Sequence, residues 1–147
     1  MRMWHYRLIP YLPDLQLKGQ LRELVAIMHD WRDRGQTNHL LINHIMDYPR
    51  FVLYLYFKEY DYYYRKRFGK FISEKYEKEF LEFGLSNKDE LPCFIFTYDW
   101  QDKVYLRICM ANLYEKYLGK GKTKLTDNEW NRLKQGYKQI TGEDYVI

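Results

Sequence analysis

Cysteine is nearly absent from this chain: Cys93 and Cys109 are the only two, both in apolar surroundings and without CxxC spacing. A reduced, cytoplasmic setting follows, with both thiols belonging to a core. No stretch resembles a signal peptide, and no apolar run is long enough to span a bilayer. Charge of one sign is also scarce, since 24 Lys and Arg barely outnumber 20 Asp and Glu, for a net +4. Any attraction for a polyanion therefore rests on local patches. The four histidines, His5, His29, His39 and His44, form no HExxH or other metal spacing, so no metal is expected. At 147 residues the chain is long enough for one sizeable core and too short for a second, and it holds no internal repeat or linker.

What is present is helical patterning with an unusual load of aromatics. A first helix is expected from near Pro13 to about Trp31, with Leu17, Leu21, Leu24, Val25 and Met28 as its apolar stripe. Asp33 to Asn38 reads as a loop, and Leu40 to Met46 as a short apolar helix stopped by Asp47-Tyr48-Pro49. A longer helix from about Arg50 to Arg67 carries rings on nearly every face, which argues for a central helix packed on several sides. Ile72, Tyr76, Phe80 and Phe83 mark a helix ending at Gly84, a natural C′ residue. Leu91 to Tyr98 suits a short extended piece. Gln101 to Leu118 forms the next helix, with Leu106, Cys109, Leu113 and Tyr117 as its stripe. Thr126 and Glu129 form a capping box for a last helix bearing Trp130, Leu133, Tyr137 and Ile140. The expected fold is all-α: one compact helical domain over residues 1–147 with little or no sheet.

On the first helix, at about 100° per residue, Glu23 lies almost opposite Leu21, with Gly19, Gln16 and Ala26 along its face and room for a ligand. A charged residue opposite an apolar stripe is ordinarily just solvated, so this placement alone assigns no chemistry. Arg22 sits about 100° away and would reach a different part of any shared ligand. Arg65-Lys66-Arg67 either grips phosphates or complements the helix dipole. Gly119 to Lys124 looks like a phosphate cradle but lacks the strand and spacing of a P-loop, leaving a backbone phosphate contact or a solvated turn. Trp4 reads as a stacking residue or as an anchor for the terminus.

Three stretches resemble one family. The opening Met-Arg-Met-Trp-His, the Leu8-Ile9-Pro10-Tyr11-Leu12-Pro13 segment and the Gln16-Leu17-Lys18-Gly19-Gln20-Leu21-Arg22-Glu23 helix together are similar to the pyrimidine-dimer DNA glycosylases, the group of the phage endonuclease V. The match thins through the aromatic middle and returns in Tyr105 to Tyr117, which looks like the late helix of the family's cellular members. The resemblance implies a DNA glycosylase with abasic-site lyase activity on UV-induced pyrimidine dimers. Its nucleophile would be the N-terminal amine, which attacks C1′ and forms an imine, with Glu23 as the electrostatic and proton-transfer residue. An α-amine suits this because its pKa is about 8, against about 10.4 for lysine, so roughly a tenth is neutral at pH 7.

Arg2 is too large for ordinary methionine removal, so Met1 takes the nucleophile's place. Ala26 stands where the phage enzyme carries a phosphate-holding arginine. The resemblance thus implies catalysis by Met1 and Glu23, with DNA binding expected at Arg2, Gln16, Lys18, Gln20 and Arg22 around them and, from the basic run rather than the resemblance, at Arg65, Lys66 and Arg67. His5 is a supporting residue near the amine. An imine route calls for neither metal nor cofactor. The expected partner is double-stranded DNA containing a damaged base, met by a monomer that is cytoplasmic and nucleoid-associated when at work, with no membrane involved. Two other readings stay open: a helical DNA-binding protein that is catalytically inactive or redirected to another lesion, and a protein-interaction module whose tyrosine-rich faces meet a partner.

Overall fold

The computed structural model describes residues 3–86, 100–119 and 124–147. Met1, Arg2, Cys93, the expected extended piece at 91–98 and Lys120 to Thr123 of the glycine-lysine loop lie outside the described residues. Among those described the fold is all-α, with no strand. The helices are α1 (Asp14–Arg34), α2 (Phe51–Phe68), α3 (Glu74–Leu85), α4 (Lys103–Leu118) and α5 (Asp127–Thr141). Two 3₁₀ helices, Tyr6–Tyr11 and Ile42–Asp47, precede α1 and α2. Contacts group the chain into two units, one of Met1–Met3 with Gly19–Trp100 and the other of Trp4–Lys18 with Gln101–Ile147.

In the first unit α2 and α3 pack along an aromatic seam. Phe57 stacks on Phe80 with centroids 4.3 Å apart, and Trp31 of α1 meets Phe83 edge-on at 5.2 Å. Gly84 does not end α3, as its C′ position in the sequence suggested; it lies inside the helix and buried. A Cβ there would come 3.0 Å from Tyr54 Cβ and 3.2 Å from the Phe51 ring, so glycine is needed for the close approach of α2. The segment expected as a short apolar helix from Leu40 is a 3₁₀ turn that starts later, and Leu40 and Leu41 are exposed. Its entry is tied instead by Asn43, whose Oδ1 accepts the Thr37 N–H at 2.8 Å and hydroxyl at 2.7 Å.

The second unit places the first 3₁₀ helix and α4 against α5. The Thr126–Glu129 capping box forms as expected, with Thr126 Oγ1 accepting the Glu129 N–H at 3.1 Å and Glu129 Oε1 accepting the Thr126 N–H at 2.9 Å. Leu8, Ile9, Leu106, Met110, Leu113, Leu133 and Tyr137 are buried there. Arg132 donates to the Pro10 carbonyl at 2.8 Å, and Tyr11 crosses α5 at Gly136. A Cβ on Gly136 would sit 2.5 Å from Tyr11 Cγ, at the stiff root of that side chain.

This contact yields a signed prediction. Inside a helix Ala is ordinarily favoured over Gly by about 1 kcal/mol, but Gly136→Ala should destabilise by about 1–3 kcal/mol through overpacking against Tyr11. In a Tyr11→Ala background, which removes the ring but leaves a Cβ 3.0 Å away, the same change should cost much less. Urea unfolding of the four proteins of that cycle measures the difference.

Candidate functional site

The rotation of α1 decides what its residues can do. Leu17, Leu24, Ile27, Met28 and Trp31 are buried, whereas Leu21 and Val25 of the expected stripe are half-buried. The buried face is turned toward Gln20, which is 1 % exposed. Gln20 was expected beside Glu23 as a nucleotide contact; its Oε1 instead accepts the buried Tyr56 hydroxyl at 3.3 Å. One turn further along α2, the Tyr60 hydroxyl hydrogen-bonds the backbone at Leu21, and burial pushes that phenol's pKa up. Two tyrosines of α2 therefore pin one turn of α1.

That rotation leaves Glu23 half-buried and Arg22 exposed. Gly19, one turn before Glu23, has nothing among the described residues within 4 Å of where a Cβ would stand. Lys18 is exposed. Gln16 is 8 % exposed, and its Oε1 has no hydrogen-bond donor among the described residues. A buried amide oxygen in that state is a standing cost of about 1–3 kcal/mol unless a donor arrives. Met3 is buried and belongs to the same unit as Glu23. The chain's first residue stands two positions before it, a span of at most about 7 Å of extended backbone.

The two remaining groups of candidates behave differently. Arg65 and Lys66 are exposed and Arg67 is half-buried at the end of α2. Asp61, one turn earlier and buried, takes Arg65 in a bidentate grip, Nε to Oδ1 at 3.1 Å and Nη2 to Oδ2 at 2.8 Å. The i, i+4 spacing of that pair was legible in the sequence, though its burial was not. His5 is 3 % exposed and acts as the N-cap of the first 3₁₀ helix, its Nδ1 accepting the Arg7 N–H at 3.2 Å. Its ring stacks on Tyr6 at 5.0 Å and hydrogen-bonds the backbone at Gln101. Burial pushes its pKa down to about 4, the Gln101 bond opposing only in part. At pH 7 His5 is thus a neutral structural cap.

Trp4 is buried as an anchor. His29 pairs with Glu79 at 2.6 Å, and His39 and His44 are exposed. Among the described residues no three His, Cys, Asp or Glu gather as a metal site, and no helix is long and apolar enough to cross a membrane.

The family model for pyrimidine dimer DNA glycosylase matches residues 1–76 of this chain, a span that contains all of α1 and α2 and ends at the start of α3. No curated protein and no solved structure matches it.

The His5 cap predicts an acid-sensitive stability. The unfolded chain takes up a proton on His5 below about pH 6.5, while the folded protein resists until about pH 4. Stability is therefore lost as pH falls through that window, by roughly 3 kcal/mol. His5→Asn keeps an acceptor at the cap and removes the titration, so its stability should fall less than that of the parent between pH 7 and 4. Parallel profiles in denaturant titrations would mean that His5 takes up its proton at the same pH in the folded and unfolded states.

Proposed function

The chain belongs to the pyrimidine dimer DNA glycosylase family, and from that premise we propose that it is a glycosylase and abasic-site lyase for UV-induced pyrimidine dimers, acting through the Met1 amine and Glu23. The observation that supports the pairing most directly is the burial of Met3 in the unit that carries Glu23. A buried anchor two residues from the terminus restricts the volume the amine explores, and restricted reactants react faster.

In this reading the neutral amine attacks C1′ of the damaged nucleotide, and the electrons of the N-glycosidic bond leave with the base. The sugar then opens to an imine on the Met1 nitrogen. Positive charge develops at C1′ and on that nitrogen, and we assign the Glu23 carboxylate, of opposite sign, to stabilise it. The imine acidifies the C2′ hydrogens, so a base can remove one, and β-elimination expels the 3′ phosphate. Water finally releases the unsaturated sugar and restores the amine.

Around this centre we assign Arg2, Lys18 and Arg22 to phosphates near the lesion and Lys66 and Arg67 to phosphates farther along the strand, whereas the Arg65 guanidinium is already held by Asp61. Gln16, with its unanswered carbonyl oxygen, suits a donor brought by the amine or by a nucleotide. Gln20 serves by holding α1 against Tyr56, so its contribution is to positioning.

Borohydride reduction in the presence of a duplex carrying one cyclobutane dimer should trap a covalent adduct that maps to Met1. Acetylating the terminus or extending it with a tag should abolish the adduct. Glu23→Gln should lower turnover by roughly 100-fold or more while leaving duplex affinity nearly unchanged. Trapping on an abasic site alone would confine the activity to the lyase step, and normal turnover by Glu23→Gln would overturn the mechanism.

A further inference from the structure

Two rings at the basic end of α2 are left in solvent. Tyr62 is 59 % exposed and Phe71 78 %, while Tyr56, Phe57 and Tyr60 on the same stretch of chain are buried. Complementarity to the helix dipole accounts for cations in the last turn of α2. It gives no reason for large apolar rings to face water, which costs hydrophobic burial.

Each ring is paired with a cation. Lys66 Nζ lies 5.9 Å from the Tyr62 centroid, and Arg65 Cζ lies 4.6 Å from the Phe71 centroid. Phe71 reaches Arg65 because the chain reverses at Gly69, whose φ of +64° is a left-handed turn and whose N–H donates to the Arg65 carbonyl at 2.8 Å. The Arg65 plane is held by buried Asp61, and the Tyr62 ring is set edge-on against Tyr63 at 5.0 Å and 85°. Both flat groups are therefore preoriented. An open groove of about 660 Å³ follows the same face of the helix, lined by Lys58, Asp61, Tyr62, Arg65 and Lys66. Its single carboxylate is held by Arg65, and Lys58 Nζ is paired with Glu77 at 3.1 Å, which leaves Lys66 as the groove's cation for a phosphate.

Flat, preoriented rings beside cations match the faces and phosphates of unpaired nucleotides; in a duplex those faces are covered by neighbouring bases. We propose that the end of α2 is a stacking site for single-stranded DNA. Tyr62 and the Phe71–Arg65 pair take the faces of bases, and Lys66 takes a phosphate. The site goes beyond lesion chemistry, because none of its residues lies on α1. It rests on the glycosylase reading only in that strand scission supplies unpaired nucleotides.

The test uses Glu23→Gln protein and a short lesion-free oligothymidylate followed by fluorescence anisotropy at low salt. Adding Tyr62→Ala and Phe71→Ala should weaken binding by about tenfold or more. Tyr62→Phe with Phe71→Tyr should retain most of the affinity, since both ring faces remain. Lys66→Ala should lower the slope of log affinity against log salt by about 0.7. A 2-aminopurine within the strand should be quenched on binding, and the double alanine variant should lose that quenching. Melting curves check that each variant folds, as expected for exposed positions. Absence of binding to the oligothymidylate, or unchanged affinity and quenching in the folded double alanine variant, would overturn the proposal. With no lesion in the strand and Glu23 replaced, neither outcome depends on whether Met1 forms an imine.

Discussion

The rotation of α1 rests on two buried hydroxyls. Tyr56 and Tyr60 stand one turn apart on α2 and meet successive residues of α1, Gln20 and the backbone at Leu21. Without a partner, a buried glutamine amide costs more than the apolar contact it displaces. The Tyr56 hydroxyl supplies one, and the helix can then turn Gln20 inward while Leu21 and Val25 move toward the edge. Everything proposed for α1 follows from that angle. With Leu21 facing fully inward, Glu23 would stand straight out into water. With Gln20 inward, Glu23 becomes half-buried, where a carboxylate interacts more strongly with a developing cation than it would in open solvent.

The chain before α1 meets a complementary requirement of the proposed amine chemistry. A terminal amine is a poor reagent if it swings freely, because each unrestrained bond is entropy to be lost at the transition state. Met3, Trp4 and His5 are buried in succession. His5 closes the first 3₁₀ turn through Nδ1, which requires the neutral ring that its burial enforces. His5, expected near the amine, is observed as the cap of the Tyr6–Tyr11 turn. Anchoring also makes the segment acid-sensitive, since protonating the ring removes the acceptor at the cap.

How much of this was legible in the sequence depends on how local each signal is. The capping box of α5 lies within four residues, and its spacing alone identified it. The bounds of α2 and α4 came within one or two residues for the same reason. The face of α1 did not, because burying Gln20 depends on Tyr56, thirty-six residues away. Gly84 looked like a helix end because glycine often is one; it is a contact glycine, and only the position of Phe51 and Tyr54 reveals that. The site divides similarly. Glu23 was singled out by its neighbours' likeness to a family, since an acidic residue on a polar helix face carries no signal by itself. The burial of Met3 and the open rings at Tyr62 and Phe71 had no sequence signal, being results of how the chain turns at each end.

The fate of Arg65 shows why counting charges misjudges a basic run. Arg65, Lys66 and Arg67 read either as a grip on phosphates or as a complement to the helix dipole. Asp61, itself buried, accepts two hydrogen bonds from the exposed Arg65, so much of that charge is answered before any ligand arrives. What remains is a fixed, flat guanidinium over Phe71. A planar cation so held contributes shape and polarisability more than long-range attraction, as a stacking surface does. Lys66, a point charge on a flexible stem, retains the phosphate-seeking role. The end of α2 is thus built less to pull a polyanion in from a distance than to receive the faces of bases once they are near, and the buried carboxylate one turn back is what separates the two roles.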